Sequence, residues 1–244
     1  MTEKCENMKS MEEKKISDTS EKVWIVIPLY HEETVVRSVI EEIRKSGFGN
    51  IIIVDDGSHD NTFNEAKKTG VVTLRHRINR GKGAATRTGI EAAKVLGADI
   101  VITMDGDGQH NPEDIRALIQ PIQSKKVDVA LGTRLTDTRG MPFYKIIGNY
   151  IGNFFTWYFY GLWVSDSQSG FRAYSRHAVD VIDTRTDRYE YDSEVIREIR
   201  MHRLKFKEIP ITVRYTHYSE HKRYRQNFLN GLKTIYSMIF RIIH

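Results

Sequence analysis

Short apolar runs alternate with segments whose apolar residues recur at helical spacing, from residue 23 to about residue 132. The runs predict strands at Val23–Leu29, Asn50–Val54, Val71–Arg75, Asp99–Met104 and Val127–Gly132. The segments between them predict helices at Glu33–Ser46, Asn61–Thr69, Ala84–Leu96 and Pro112–Gln123. Repeated strand–helix units predict an α/β fold with a doubly wound, mainly parallel sheet. In such sheets, ligands bind beyond the carboxyl ends of the strands.

Two later segments are strongly apolar. Ile146–Val164 has no charged residue and is rich in Phe, Tyr and Trp. Its length approaches the roughly 20 residues of a membrane span, but its asparagines, glycines and aromatic residues favour a helix that lies in a membrane interface. Phe228–Ile243 is a second apolar helix, interrupted by Lys233 and Arg241. We expect both helices to contact a membrane surface, although packing against the sheet would explain the same pattern.

Composition sets the boundaries of the predicted domain. The chain has 244 residues, 40% hydrophobic and 28% charged, which suits one large soluble domain. Residues 1–22 are polar and predict a flexible tail, residues 23–219 the α/β domain, and residues 220–244 a mobile loop and an amphipathic helix. Cys5 is the only cysteine and no signal peptide is evident, so we expect a cytoplasmic protein.

Net charge is +5, and the excess of Lys and Arg lies late in the chain. This distribution suits phosphate groups, anionic lipid or nucleic acid, or a solvated basic face.

Acidic residues follow three of the predicted strands. Glu32 comes after the first strand, Asp55 and Asp56 end the second, and Asp105 and Asp107 follow the fourth. If the fourth strand continued through Asp107, the side chains of Asp105 and Asp107 would point to the same face of the sheet, because successive side chains alternate between the two faces. Two carboxylates followed by the amide of Gln109 are hard oxygen ligands suited to Mg²⁺ or Mn²⁺. Such an ion would hold a diphosphate, which indicates an enzyme that acts on a nucleotide-linked substrate.

Other nucleotide and phosphate motifs fit less well. Gly81-Lys82-Gly83 begins like a dinucleotide fingerprint, but Thr86 stands where a third glycine is required, and the spacing of a P-loop is absent. The run Asp105-Gly106-Asp107-Gly108 also resembles the nucleophile loop of haloacid-dehalogenase-type phosphatases. In that family the next residue is usually Thr or Val, where this chain has Gln109, and the loop normally follows the first strand.

The motifs in their order resemble those of family-2 glycosyltransferases, and within that family the dolichyl- or polyprenyl-phosphate sugar synthases. The resemblance covers about residues 22–240 and rests on Pro28-Leu29-Tyr30-His31-Glu32, Val54-Asp55-Asp56-Gly57-Ser58, Asn79-Arg80-Gly81-Lys82-Gly83, Met104-Asp105-Gly106-Asp107-Gly108-Gln109-His110, Gly132-Thr133-Arg134, Asp166-Ser167-Gln168-Ser169-Gly170-Phe171-Arg172 and Tyr218-Ser219-Glu220-His221-Lys222. It implies a GT-A-type fold. The glutamine at position 168 is more like the glucose synthases than the mannose synthases.

This resemblance also implies roles for individual residues. The nucleotide-sugar site would comprise Pro28, Tyr30, Glu32, Asp55, Asp56, Lys82, Asp105 and Gly106. Asp105, Asp107 and Gln109 would hold Mg²⁺ or Mn²⁺. Arg134, with Arg172 and Lys145, would position the acceptor phosphate. Asp166 would orient a sugar hydroxyl or an arginine, and Lys222 would close over the donor. Glu194 matches a further acidic position.

The implied reaction is metal-dependent transfer of a hexose from UDP-glucose, UDP-N-acetylglucosamine or GDP-mannose to dolichyl or polyprenyl phosphate. The enzyme would be peripheral on the cytoplasmic face of a membrane, with no nucleic-acid partner, and the sequence does not indicate an oligomeric state. Three alternatives remain: a family-2 transferase with a saccharide or soluble acceptor, a phosphatase, and a non-enzymatic module that binds membranes or nucleotide sugars.

Overall fold

The computed structural model describes residues 21–134, 143–188 and 190–214, with side chains of the helix that begins at Phe143 described from Tyr150 onward. Its strands are β1 (Val23–Leu29), β2 (Ile51–Asp55), β3 (Val72–Arg75), β4 (Ile100–Thr103), β5 (Val129–Thr133), β6 (Arg172–Ser175) and β7 (Phe206–Pro210). Its helices are α1 (Val36–Lys45), α2 (Thr62–Lys67), α3 (Lys82–Val95), α4 (Ile115–Gln123), α5 (Phe143–Tyr160), α6 (Arg176–Val181) and α7 (Glu190–Met201). A 3-10 turn, Pro112–Asp114, precedes α4.

The strands form one sheet in the order β3-β2-β1-β4-β6-β5-β7. β1 pairs in parallel with β2 and β4, and β5 pairs in parallel with β7. Only β6 is antiparallel to its neighbours β4 and β5 among the described strands. The predicted doubly wound, mainly parallel sheet is therefore confirmed.

Helices cover both faces of the sheet because the central strands are apolar on both sides. Ile25, Ile51 and Ile102 pack on one face, with α1 and α4. Val26 and Val54 pack on the other face, with α3, α6 and α7. β2 is buried along its whole length, as its nearly continuous apolar run predicts.

The predicted strands and helices up to residue 133 are present, with ends that differ by a few residues. One difference matters for the site: β4 ends at Thr103, before the acidic motif, so Asp105 and Asp107 do not lie on a continuing strand that would point them to the same side. Between residues 165 and 219 the local pattern predicted no elements, and β6, α6, α7 and β7 lie there. The predicted tail (residues 1–20 of it) and the second apolar helix, 228–243, lie outside the described residues.

Close approach between α3 and the sheet generates a stability prediction. A Cβ at Gly89 would lie 2.2 Å from Cγ1 of the buried Val26 and 3.2 Å from Cγ2 of Val54. Gly89→Val should therefore lower the free energy of unfolding by about 3 kcal/mol, as expected for an overpacked core. Gly49→Val is the matched control, because nothing lies within 4 Å of a Cβ there. Urea unfolding measures both, and equal stability of the two variants would contradict the packing described.

Candidate functional site

The carboxyl ends of β1, β2, β4 and β5 lie along one edge of the sheet, and β2, β1 and β4 are neighbours. Because β6 is antiparallel, the residues that precede Arg172 reach the same edge. A small cleft at this edge is lined by Pro28, Lys82, Thr86, Thr103, Met104, Asp105, Gly170, Tyr191 and Asp192. The strand ends that the acidic residues follow are therefore neighbours at this edge, and Asp105 is the one of these acids that lines the cleft.

The loop after β1 is held against the loop after β2. The backbone N–H of His31 donates to Ser58 Oγ at 3.0 Å, and that of Glu32 donates to Thr62 Oγ1 at 2.8 Å. His31 has a positive φ of 57°, and its ring stacks on Tyr30 with the centroids 4.0 Å apart. Tyr30 is 38% exposed at the rim of the edge, whereas Glu32 is buried.

Asp55 and Asp56 are both buried and engaged with the protein. Asp55 forms an ion pair with Arg75 at 3.0 Å. Asp56 accepts hydrogen bonds from the backbone N–H groups of Arg80 and Gly81, at 3.0 and 2.6 Å, and contacts His76 Nδ1 at 2.7 Å. Asp56 thus fixes the loop that precedes α3. The contact with the nucleotide that the resemblance implies for these residues stays a prediction.

The acidic motif forms a compact turn beyond β4. A Cβ at Gly106 would lie 1.9 Å from Leu29 Cδ2, and Gly108 has a φ of 74°, so glycine permits both the close approach and the turn. The N–H of Gln109 donates to Asp107 Oδ1 at 3.0 Å. These features explain why the chain leaves the strand conformation before Asp105.

Lys82, at the start of α3, bridges two carboxylates. Its Nζ lies 2.8 Å from Asp105 Oδ1 and 3.1 Å from Asp192 Oδ2. Burial opposes ionisation of Asp105, but the charges of Lys82 and His110 overcome it and hold the pKa of this carboxyl well below its ordinary value. Burial likewise opposes the charge of Lys82, yet the two carboxylates raise its pKa. Asp105 and Lys82 are therefore both ionised at neutral pH.

The donor set of this turn fits a hard divalent ion. Within the described residues, no three His, Cys, Asp or Glu side chains are grouped so as to hold a metal. Asp105 and Asp107 supply two carboxylates, and the buried Gln109 adds an amide. Mg²⁺ is commonly bound by one or two carboxylates together with substrate phosphates, so these residues fit an ion that arrives with a diphosphate.

Arg134 follows β5 and is fixed by Asp166. The backbone N–H and the Nε of Arg134 donate to Asp166 Oδ2 at 3.0 and 2.7 Å, and its Nη2 donates to Asp166 Oδ1 at 2.7 Å. The Asp166 side chain is 1% exposed and the Arg134 side chain 14%. Of the two partners predicted for Asp166, the structure shows an arginine, which orients the guanidinium plane at the edge.

The segment that carries Asp166 is held from several elements. Ser165 Oγ contacts Thr133 Oγ1 at 2.8 Å and donates to Glu208 Oε1 at 2.6 Å. Asn153 of α5 accepts hydrogen bonds from the N–H and Oγ of Ser167, both at 2.9 Å, and its amide nitrogen donates to the carbonyl of Ser165. Arg134 is therefore positioned through β5, β7 and α5 together.

Arg172 lies beneath the site rather than in it. It is 1% exposed, and its Nη2 donates to the carbonyl oxygens of Ser167 and Asp192, at 2.7 and 3.0 Å. The guanidinium is enclosed and joins two segments of backbone, and the contact with the acceptor phosphate that the resemblance implies for Arg172 stays a prediction. Arg172 is a positioning residue.

Glu194 of α7 anchors the loop that packs on the start of α3. Its Oε2 accepts from the N–H groups of Arg185 and Thr186, at 3.0 and 2.7 Å, and its Oε1 lies 3.0 Å from Arg197 Nη2. The same loop approaches α3 so closely that a Cβ at Gly83 would lie 2.6 Å from the Thr186 carbonyl oxygen. Glu194 thereby holds the backbone beside Lys82.

The burial pattern of α5 is the reverse of that of an ordinary surface helix, because polar side chains are buried and aromatic side chains are exposed. Its buried positions include the polar Asn153 and Thr156, at 1% and 0% exposure. Its exposed positions are Tyr150, Ile151, Phe154, Trp157 and Tyr158. Exposed apolar patches of this kind mark binding surfaces. No helix among the described residues is long and apolar enough to cross a membrane.

Some site residues fall outside the description and others were missed. Lys222 and the side chain of Lys145 lie outside the described residues, so their roles stay predictions. The sequence analysis did not single out Asp192 or Glu208. A cue existed for Asp192, which is one of three acids in Glu190-Tyr191-Asp192-Ser193-Glu194, directly before the apolar Val195 and Ile196. Glu208 stands in a charged strand and gave no signal.

Comparison with known proteins shows the family to which the chain belongs. Residues 24–183 match the family described as glycosyl transferase family 2. The chain is 40% identical over 228 residues to an uncharacterised protein of Methanocaldococcus jannaschii, covering 91% of this chain and 93% of that protein. It is 36% identical over 239 residues to the UDP-N-acetylglucosamine–dolichyl-phosphate N-acetylglucosaminyltransferase of Methanococcus voltae, covering 89% of this chain and 94% of that enzyme.

The fold is also similar to solved structures. Glucosyl-3-phosphoglycerate synthase of Mycobacterium tuberculosis superposes with a TM-score of 0.68 at 17% identity, covering 92% of this chain and 80% of that one. The same enzyme in complex with Mn²⁺ and UDP-glucose gives a TM-score of 0.63 at 18% identity, covering 90% of this chain and 80% of that one. The likeness confirms the GT-A-type fold predicted from the motifs.

The contacts of Glu194 predict a measurable loss of stability. Glu194→Gln replaces one acceptor oxygen by an amide group, so a buried hydrogen bond or the ion pair with Arg197 is lost. The free energy of unfolding should fall by about 1–3 kcal/mol. Urea unfolding checks this. Glu41→Gln, at an exposed position of α1, should change stability by less than about 0.5 kcal/mol. A Glu194→Gln variant as stable as the parent would refute the assignment.

Proposed function

Since the chain belongs to glycosyl transferase family 2 and is a glycosyltransferase, we propose that it transfers a hexose from a nucleotide sugar to polyprenyl or dolichyl phosphate. The observation that carries the proposal is the carboxyl edge of the sheet. An acidic turn suited to a metal–diphosphate unit lies there, together with two oriented cations, Lys82 and Arg134. Among the predicted donors, UDP-N-acetylglucosamine is favoured, because the relative from Methanococcus voltae is named for that donor and for a dolichyl-phosphate acceptor.

The acceptor phosphate is its own nucleophile. Its second pKa is about 6, so near neutral pH it is largely a dianion and needs no general base. One of its oxygens attacks the anomeric carbon and forms the new C–O bond. The bond from that carbon to the diphosphate breaks, and the nucleoside diphosphate leaves with the electron pair. Attack from the side opposite the leaving group inverts the configuration.

Cations must bring two anions together in this reaction. Arg134 would contact the acceptor phosphate, with its guanidinium fixed by Asp166. Lys82 would contact the diphosphate of the donor. Asp105, Asp107 and Gln109 would hold Mg²⁺ or Mn²⁺, which supplies Lewis-acid neutralisation of the leaving diphosphate when bound. Tyr30 and Glu32 would contact the nucleoside, and Lys222 would close the site.

A polyprenyl tail stays in the bilayer, so the enzyme must reach the membrane. The exposed side chains of α5, including Tyr150, Phe154 and Trp157, are of the type that lies in a membrane interface. Basic residues late in the chain would add attraction to anionic lipid. We therefore place the enzyme on the cytoplasmic face as a peripheral protein.

Loss of one predicted metal ligand tests the reaction. Wild-type protein with Mn²⁺ or Mg²⁺ should move labelled N-acetylglucosamine from UDP-N-acetylglucosamine into an organic-soluble product with short-chain polyprenyl phosphate. Asp107→Ala should lower this transfer at least about a hundredfold, because a ligand of the ion is lost.

Asp180→Ala, at an exposed acid of α6, is the control and should retain activity. UDP-glucose and GDP-mannose, offered separately, identify a different sugar if either is used instead. Label that enters only water-soluble saccharide would indicate the other acceptor class, and release of inorganic phosphate alone would indicate a phosphatase. Unchanged transfer by Asp107→Ala would remove this residue from the site.

The surface of α5 generates a binding prediction. The double variant Phe154→Ser/Trp157→Ser should reduce the fraction of protein that floats with anionic phospholipid vesicles, lowering the partition constant about tenfold or more, since two large apolar side chains no longer enter the interface. Transfer to a water-soluble short-chain acceptor should persist. Ile78→Ser/Val95→Ser removes two other exposed apolar residues and should leave flotation unchanged. Equal losses in both double variants would argue against a specific docking face.

A further inference from the structure

Asp192 is a buried acid next to the predicted metal site. Its Oδ2 lies 3.1 Å from Lys82 Nζ, which lies 2.8 Å from Asp105 Oδ1 on its other side. The Asp192 side chain is only 5% exposed, against 31% for Asp105 and 23% for Lys82. One ammonium therefore joins an outer carboxylate, on the acidic turn, to an inner carboxylate, on α7.

The surrounding residues build this arrangement. A Cβ at Gly170 would lie 2.6 Å from both Lys82 Nζ and Asp105 Oδ1, so a larger residue at position 170 would displace the ends of these two side chains. From below, Arg172 donates to the carbonyl of Asp192 at 3.0 Å and lies 3.7 Å from its Oδ1. Asp192 is thus fixed in place, whereas Asp105 lies on the turn after β4 and its side chain is partly exposed.

An ammonium and a divalent cation compete for the same carboxylate. Lys82 neutralises Asp105 in the protein as it stands, so a metal ion that binds Asp105 must weaken that ion pair. The loss is smaller if Lys82 keeps a second carboxylate, because a buried ammonium without a partner is strongly destabilised.

We propose that Asp192 is a positioning residue that retains Lys82 when Asp105 binds the divalent cation. Lys82 competes with the cation for Asp105, and Asp192 limits this competition by offering Lys82 a second carboxylate. This inference rests on the metal-dependent transfer proposed above. It also predicts that metal ion and nucleotide diphosphate bind together more favourably than separately, because the diphosphate offers Lys82 a new anionic partner.

Mn²⁺ titration of the full chain without nucleotide tests the proposal, with free Mn²⁺ measured by electron paramagnetic resonance. Lys82→Met should bind Mn²⁺ about tenfold more tightly than wild type, as expected when one charge next to a ligand is removed, and should lose transfer activity. Asp192→Asn should bind Mn²⁺ several-fold more weakly, because Lys82 then turns wholly to Asp105. In the double variant Lys82→Met/Asp192→Asn, the loss of Mn²⁺ affinity caused by Asp192→Asn should be much smaller than in the wild-type background, because Lys82 no longer competes for Asp105.

Lys94→Met is the matched control: Lys94 lies on the same helix, has the same 23% exposure and pairs with Glu91 and Asp180 instead. It should leave Mn²⁺ affinity unchanged. Lys82→Gln serves the same test if Lys82→Met does not fold by circular dichroism. Lys82 variants that bind Mn²⁺ no more tightly than wild type would overturn the proposal. The proposal would also be overturned if Asp192→Asn lowered Mn²⁺ affinity equally in wild type and in Lys82→Met.

The two levels of inference fail separately. Tight Mn²⁺ binding by Lys82→Met, together with no polyprenyl product from the wild-type protein with any donor, would refute the proposed acceptor and leave the role of Asp192 intact. Metal-dependent transfer by wild type, with no gain in Mn²⁺ affinity for Lys82→Met, would refute the role of Asp192 and leave the proposed reaction intact.

Discussion

Pairing of buried charges is the interaction on which the carboxyl edge depends. A buried ion without a partner costs several kcal/mol, and Asp105, Asp166 and Asp192 are each matched by a cation from another part of the chain. Lys82 of α3 joins Asp105 to Asp192 of α7, and Asp166 holds Arg134, which follows β5. These contacts tie distant parts of the chain together, so the site and the fold around it are specified by the same pairs.

The polar inner face of α5 extends this network to the protein surface. Asn153 binds the segment that carries Asp166, and Asp166 binds Arg134. On the opposite side of the helix, Phe154 and Trp157 are about half exposed. A helix that served only to cover the sheet would bury its aromatic residues and expose its asparagine. The inverted distribution makes sense if the polar face shapes a site and the aromatic face meets another apolar phase.

The sequence predicted best what depends on local pattern. β2 is a continuous apolar run, and Asp55 at its end follows from that run alone. The end of β4 was predicted to within one residue, but Asp105 and Asp107 leave the strand direction in a turn where Gly106 lies close to Leu29, a contact that no local pattern shows. β6 escaped prediction because it begins with a buried Arg172, whose burial depends on the carbonyl groups of Ser167 and of Asp192 in α7. Such tertiary pairing is not visible in a local pattern.

The same limit explains why Asp192 was missed while Asp105 was found. Asp105 belongs to a loop motif whose residues act together because they are adjacent in sequence. Asp192 is 110 positions from Lys82 and meets it only because α7 packs beside the start of α3. A buried acid is costly unless a charge or a donor lies opposite it, so the buried Asp192 and Glu194 imply such partners. In a transferase, where cations must collect on bound phosphates, the partner of a buried acid is a direct pointer to the site.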